Sequence, residues 1–353
     1  MKKKFLSIFL IVTMLLCACG GSANAPKNNS QTENGGNDGE AKDTGSNDGE
    51  TKDAGSNDGE AGKTGGENEN PGGGATMTDP SGAKITVPNE VNSIVTLSPS
   101  LSEIVTALGM GDKVTGYDIY SADVEGLPKD VPTFEITNPD MEQLTSLAPD
   151  VLLITNETFF DQESPFQAMV DAGTCVICVP SPDSIDGIKS DIEFLSAALG
   201  ASETGSALLA DFDAELKELA DTAAKIPAEE RKRVYFEVAP APNMYSFGSG
   251  VFLNEMIEQI GAENILAGQT GWLTVEGETI VAENPDAIFT NANYVEDPVQ
   301  EILSREGWAG ITAVADKNVY CIDANASSQP THNVVKAMRQ MAELLYPDYY
   351  KAQ

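Results

Sequence analysis

A proline–aspartate pair stands directly ahead of an unbroken apolar run at two places in this chain, and a helical segment precedes it each time. Ser146-Leu147-Ala148-Pro149-Asp150-Val151-Leu152-Leu153 is echoed by Val281-Ala282-Glu283-Asn284-Pro285-Asp286-Ala287-Ile288. Proline cannot continue a helix and pushes the residue before it out of helical space. Each copy therefore reads as helix, sharp turn, strand. Runs that are apolar throughout, rather than alternating, belong to strands covered on both faces. Residues 93–97, 150–155, 174–179, 233–238, 287–290 and 319–322 are short strand-like runs of this kind, and helical segments separate them. The alternation predicts an α/β protein with mainly parallel sheets, and the repeated strand entry predicts two similar Rossmann-like lobes. Between them Leu208, Leu209, Phe212, Leu216, Leu219 and Ala223 recur at helical spacing. A helix of about 20 residues reaches ~30 Å, so a stiff strut is expected. The expected order is a first lobe over 76–202, an inter-lobe helix over 203–230 and a second lobe over 231–353.

Little of the first 75 residues can join such a fold. Lys2, Lys3 and Lys4 precede an apolar run of 12 residues, Phe5 to Leu16. That is too short to span a bilayer as a helix and is built like an export signal covering 1–18. Leu16-Cys17-Ala18-Cys19 closes it, and small or apolar residues ahead of a cysteine resemble the lipobox of bacterial lipoproteins. The resemblance implies cleavage before Cys19, lipidation of Cys19 and a protein held on the outer face of the cell membrane. Residues 19–75 are dominated by Gly, Asn, Asp, Glu, Ser and Thr. They contain a repeat, Gly45-Ser46-Asn47-Asp48-Gly49-Glu50 followed by Gly55-Ser56-Asn57-Asp58-Gly59-Glu60. This composition buries too little apolar area to offset ~1–2 kcal/mol of ordering entropy per residue. It is expected to be a disordered acidic tether with a reach of ~40 Å.

The chain carries a formal net charge of −34, and residues 76–353 hold 14 basic and 44 acidic residues, a balance of −30. Such a domain is repelled by nucleic acid and by anionic lipid. No nucleic-acid partner is expected, and membrane contact is expected only through the lipid on Cys19. Of five cysteines, Cys175-x-x-Cys178 has the spacing of a metal or redox pair, but it lies inside an apolar strand run with no second pair and no nearby histidine. These are read as structural thiols; no cofactor and no resident metal are expected.

At this point the residues resemble a known family. Ile94-Val95-Thr96-Leu97-Ser98-Pro99-Ser100-Leu101-Ser102-Glu103-Ile104, then Asn138-Pro139-Asp140-Met141-Glu142-Gln143-Leu144 with Leu147-Ala148-Pro149-Asp150-Val151, then Ile260-Gly261-Ala262-Glu263-Asn264-Ile265 stand in the order found in ABC-importer solute-binding proteins for vitamin B12, ferric siderophores and haem. The resemblance covers nearly all of the folded part. It implies two α/β lobes joined by one long rigid helix, with the ligand in the cleft between them. It also implies that one acidic residue on each lobe docks onto the permease dimer. Glu142 matches in the first lobe and Glu278 in the second, with Glu276 as the competing carboxylate there. The protein is expected to act as a monomer.

Open α/β sheets bind ligands beyond the carboxyl ends of their strands. The residues expected to line the cleft are Ser98, Pro99, Ser100, Tyr117, Tyr120, Asn156, Phe159 and Phe160 from the first lobe. From the second come Tyr245, Phe247, Trp272, Asn293, Tyr294, Gln329 and His332. Aromatic faces grip large flat ligands, and Tyr120 and Trp272 fall where the family's vitamin B12 binders place stacking rings. Arginine occurs only at 231, 233, 305 and 339, outside these loops. A strongly anionic chelate would lack a basic partner. The cleft therefore suits a neutral, zwitterionic or cationic guest, favouring a cobalamin-type corrinoid, with a ferric hydroxamate siderophore or haem as alternatives. His332, the only histidine, is expected to cap or face solvent; axial ligation of a metal is its other reading.

An exported hydrolase is the competing class. A lone histidine removes most Ser-His-Asp and metallohydrolase schemes. Gly248-Ser249-Gly250 lacks the nucleophile-elbow spacing, and no phosphate-binding glycine loop is present. Carboxylates alone leave a glycosidase-type reading open. A binding protein is expected rather than an enzyme; a sensor lipoprotein of the same fold differs only in its partner.

Overall fold

The computed structural model describes residues 74–158 and 165–350. The export segment, Cys19, nearly all of the tether, and Phe159 and Phe160 lie outside the described residues. The described residues open with an antiparallel pair, β1 (Thr76–Thr78) and β2 (Lys84–Thr86). The first lobe continues with β3 (Ile94–Thr96), α1 (Pro99–Ala107), β4 (Val114–Asp118), β5 (Thr133–Phe134), α2 (Met141–Leu147), β6 (Val151–Ile154), α3 (Gln167–Asp171), β7 (Cys175–Cys178) and α4 (Ile185–Ala198). Its five strands form one parallel sheet in the order β5-β4-β3-β6-β7.

The strut is α5 (Ser202–Ala223), 22 residues and so about 33 Å long. It is shorter than expected, because Pro227 and a separate turn at Ala228–Glu230 occupy the remainder. The second lobe follows with β8 (Arg233–Glu237), β9 (Tyr245–Phe247), α6 (Phe252–Gln259), β10 (Glu263–Asn264), β11 (Trp272–Thr274), α7 (Gly277–Glu283), β12 (Ala287–Thr290), α8 (Pro298–Leu303), α9 (Thr312–Ala315), β13 (Val319–Cys321), α10 (Ala324–Ser328), α11 (Val334–Leu345) and α12 (Pro347–Tyr350). Its parallel sheet runs β10-β8-β12-β13, and β9 pairs antiparallel with β11 outside it.

The two Pro-Asp entries share one geometry. Helices α2 and α7 each end on a left-handed residue, Ala148 at φ 44° and Asn284 at φ 46°. Each aspartate then reaches the start of the neighbouring strand. Asp150 Oδ2 accepts from the backbone N–H groups of Asn92 (2.8 Å) and Ser93 (3.0 Å). Asp286 Oδ2 accepts from Arg233 N–H at 2.8 Å. The motif thus ends a helix, starts a strand and fixes that strand's pairing.

Both sheets are covered on two faces. On one face a single apolar core runs through both lobes. It joins Ile94, Val114 and Val151 to Val234, Phe236 and Phe289 by way of Phe212, Leu216 and Leu219 of α5 and the buried side of α11. Each lobe closes its other face separately, around Phe134, Leu152 and Phe166 in the first and Tyr235, Ile288 and Trp308 in the second. Gly205 lets α5 lie against α4, since a Cβ there would stand 2.2 Å from Ser196 Cβ. Lys189 pairs with Asp213 at 2.7 Å, and Arg339 of α11 holds Glu218 of α5 through two bonds of 3.1–3.2 Å.

Candidate functional site

Two carboxylates bridge the lobes, and both contacts fall at the beginnings of helices that follow strands. Glu103 of α1 accepts from Thr331 Oγ1 (2.8 Å) and Asn333 Nδ2 (2.9 Å) ahead of α11. Glu255 of α6 accepts from Ile185 N–H at 2.7 Å, at the start of α4. The carboxyl ends of the two sheets therefore face one another.

On the first-lobe side a buried hydroxyl chain ties β3, α1 and β4 together. Thr96 Oγ1 and Ser102 Oγ are 2.6 Å apart, Ser102 Oγ and Ser121 Oγ 2.8 Å, and Ser121 Oγ donates to Asp118 Oδ2. The other Asp118 oxygen accepts from Tyr120 N–H at 2.9 Å, so the carboxylate aims the loop that carries Tyr120. Burial pushes the Asp118 carboxyl up to about 6, against the opposing pull of its hydrogen bonds. Ser98 and Ser100 pair with each other at 2.9 Å at the head of α1. Asn156 is exposed, and Tyr120 is half-buried near Glu135.

On the second-lobe side the β9–β11 pair presents an aromatic platform. Trp272 is half-buried and stacks on Tyr245 with ring centroids 6.0 Å apart and planes 6° from parallel. Phe247 meets Trp272 edge-on at 6.0 Å and Phe236 at 5.4 Å. Beyond β12, Asn293 is exposed. Tyr294 is half-buried, its hydroxyl pushed up to about 12 by burial and by the Glu237 carboxylate. Gln329 and His332 are half-buried on the approach to α11.

Three of the expected ligand contacts carry rings that are buried in this structure. Tyr117, Tyr245 and Phe247 retain only 3%, 4% and 0% of their surface. Tyr117 belongs to the shared core, while Tyr245 and Phe247 support Trp272 from behind. Their positions on β4 and β9 direct the rings inward, which an aromatic near a strand end does not reveal from sequence alone. His332 is not the cap of α11, and it is half-buried rather than open to solvent. Its Nδ1 is buried without a hydrogen-bond partner among the described residues, and burial and Lys336 hold its pKa down. The α11 N-cap is Asn333.

A groove of about 680 Å³ flanks the strand-end cleft between α1 and the approach to α11. Glu103, Asp112, Asp123, Glu125 and Asp323 line it, with Lys336 and His332. Of the expected ligand residues only His332 lines it. Among the described residues no group of three His, Cys, Asp or Glu stands close enough to hold a metal ion. Cys175 and Cys178 are unbonded within β7, with thiols pushed up to about 11 by burial and by Asp79.

One charged group escaped the sequence reading. Arg305 follows α8 and folds back to Glu237, the last residue of β8, in a two-pronged pair of 2.7 and 3.0 Å. Burial works against the Arg305 charge, but the bonds to Glu237 and Glu301 outweigh it and raise its pKa. Its acidic partner stands 68 positions away in sequence, so no local signal marked it.

Two α/β lobes joined by one long helix, bridged at their strand ends by Glu103 and Glu255, define a periplasmic-type ligand receptor. A family model described as periplasmic binding protein matches residues 94–326, and the chain belongs to that family. An uncharacterized ABC transporter substrate-binding lipoprotein, YvrC, of Bacillus subtilis is 34% identical over 256 residues, 72% of this chain and 79% of its own. The molybdate-binding protein MolA of Haemophilus influenzae is 27% identical over 237 residues, 62% of this chain and 66% of its own. Its molybdate-bound structure aligns with a TM-score of 0.66 over 78% of this chain and 93% of that one, at 23% identity. The vitamin B12-binding protein of Vibrio campbellii is 22% identical over 258 residues, 70% of this chain and 86% of its own. The protein is thus a substrate-binding component of an ABC importer, a family that works outside the cytoplasm with a membrane permease and a small-molecule ligand. Among the described residues no helix is long and apolar enough to cross a membrane.

Proposed function

We infer that this protein captures a cobalamin-type corrinoid outside the cell and hands it to the permease of its importer. The observation that supports the reading is Trp272, half-exposed on an aromatic backing of Tyr245 and Phe247. A broad ligand of little net charge suits such a surface. The one guanidinium at that end of the second sheet is already engaged by two carboxylates. A tryptophan buries roughly 150–250 Å² in all; with about half of that already covered by the fold, its open face offers a ligand about 2–3 kcal/mol of gross transfer energy at ~25 cal/mol/Å². Losing that face should weaken binding by more than the ~1.4 kcal/mol that makes a factor of ten.

The test is a titration of the soluble protein, residues 76–353, with cyanocobalamin, ferrichrome and haemin, read by tryptophan fluorescence. Cyanocobalamin should quench strongly, and Trp272→Leu should weaken its binding by at least about tenfold. Tighter binding of ferrichrome or haemin would replace the corrinoid by one of the family's other guests.

The same reading assigns permease docking to Glu142 and Glu278. Each is the second residue of a seven-residue helix, α2 or α7, that leads into a Pro-Asp entry, and each is exposed. The equivalence supports Glu278 over Glu276, which precedes α7 as its N-cap. Reversing both charges should abolish uptake and leave ligand affinity intact; a loss of affinity would overturn the docking role. Lipid on Cys19 would keep the receptor within reach of that permease, and Cys19→Ser should release it from the membrane fraction.

A further inference from the structure

Of the four arginines, only Arg305 stands at the ligand end of a sheet. Arg233 opens β8 at the opposite end, Arg231 precedes it, and Arg339 is engaged on α11. A guanidinium carries five N–H donors in a rigid fork. Here every nitrogen of that fork is occupied. Nη1 donates to Glu237 Oε2 at 2.7 Å and to Met244 Sδ at 3.2 Å. Nη2 donates to Glu237 Oε1 at 3.0 Å and to Glu301 Oε2, and Nε donates to Glu301 Oε1 at 3.2 Å. The cation's face rests 4.2 Å from the Trp308 ring centroid. Glu237 has 1% of its side chain exposed and Arg305 10%.

A second group points to the same spot. Tyr235 lies on the same face of β8, two residues before Glu237, and edge-on to Trp308 with centroids 6.4 Å apart. It is fully buried, and its hydroxyl has no hydrogen-bond partner among the described residues. A buried unpaired hydroxyl is unusual and calls for a reason. A guanidinium and a phenol packed on one indole are donors of the kind a tetrahedral oxyanion needs, and here the chain's own carboxylates occupy the guanidinium.

We propose that Glu237, with Glu301, is a specificity-determining residue that masks a latent oxyanion site built from Arg305 and Tyr235 at the carboxyl end of the second sheet. Two negative charges hold one positive charge, so the site is closed to anions from solvent and the cleft keeps its preference for guests of low charge. The proposal rests on the assignment of the ligand to the strand-end cleft. It adds the residue that decides which charge class enters.

The test pairs the wild type with Glu237→Ala/Glu301→Gln, which empties a carboxylate-sized space beside Arg305. Each is scanned for thermal stabilisation, and titrated by calorimetry, with molybdate, sulfate and phosphate. The wild type should bind none of them. The variant should gain oxyanion affinity by about tenfold or more. The gain should vanish when Arg305→Met is added, and cyanocobalamin should compete with it. Oxyanion binding by the wild type would overturn the masking. So would a folded variant without the gain, or a gain that survives Arg305→Met. If the variant does not fold, refolding in millimolar molybdate against chloride of equal ionic strength decides, because a ligand that binds only the native state shifts the equilibrium toward it. Rescue supports the site, and no rescue overturns it. Failure of cyanocobalamin to bind the wild type would remove the corrinoid reading while leaving the oxyanion result to stand or fall by itself.

Discussion

Gly205 offers a case in which two effects of opposite sign can be weighed. It lies in the first turn of α5, where alanine would ordinarily add ~1 kcal/mol of helix stability. The structure opposes that gain. A methyl at Gly205 would stand 2.2 Å from Ser196 Cβ and 2.4 Å from Ser196 Oγ. Ser196 Cβ is fixed to the α4 backbone, so rotating its side chain cannot clear the clash. The helices must separate by more than an ångström along the seam that carries Phe212 and Leu216. Overpacking of this kind typically costs ~1–3 kcal/mol. We expect Gly205→Ala to lower stability by up to about 2 kcal/mol net of the helix gain, or up to roughly 8 °C in Tm for a domain of this size. Urea unfolding followed by circular dichroism measures it. Adding Ser196→Gly removes the opposing Cβ and should recover most of the loss, although that glycine itself costs ~1 kcal/mol. A Gly205→Ala protein more stable than wild type would refute the claim that contact with α4, rather than helix propensity, selects the glycine.

Asp191, on the buried side of α4, has its carboxyl pushed up to about 7 by burial. The folded pKa lies above the ordinary ~3.9, so its contribution is intact below pH ~4 and is lost as pH rises to 7. Asp191→Asn should therefore stabilise the protein at pH 8, by up to about 4 kcal/mol, and change little at pH 4; equal effects at both would exclude the linkage. Ala148 pays for a left-handed conformation at φ 44° that glycine adopts freely, so Ala148→Gly should raise stability by about 0.5 kcal/mol, while Asn284→Gly, at φ 46°, also removes the Oδ1 that accepts from Thr312 N–H at 2.8 Å and should lower stability by about 0.5–1 kcal/mol. Urea midpoints of the two variants should separate in that order.

Much of the architecture was legible because its signals are local. Continuous apolar runs, a helix-spaced stripe over Leu208–Ala223, and Pro-Asp after a helix each act within a few residues. They led directly to two parallel α/β lobes on a strut. The opening hairpin was missed. Its strands hold three residues each, and what anchors it is Asp79, whose Oδ2 accepts from Cys178 N–H at 3.0 Å, 99 positions away. The site was legible only in part. Trp272 stood out as a large aromatic in a loop, but its stacking on Tyr245 depends on the β9–β11 register. Tyr117 and Phe247 carry the same kind of ring and turn inward. Arg305 was set aside because it follows α8, outside the loops at the strand ends.

The residue order by itself determined where helices stop and strands begin, that two such units occur, and that the domain is strongly acidic. Those properties follow from backbone sterics and side-chain period, which neighbouring residues set among themselves. Only the tertiary structure decided which rings face the crevice, that Glu103 and Glu255 hold the lobes together, and that the Arg305 fork is already filled. These depend on burial and on partners brought together from distant parts of the chain. A charge or a ring acquires its chemical role from what the fold places against it.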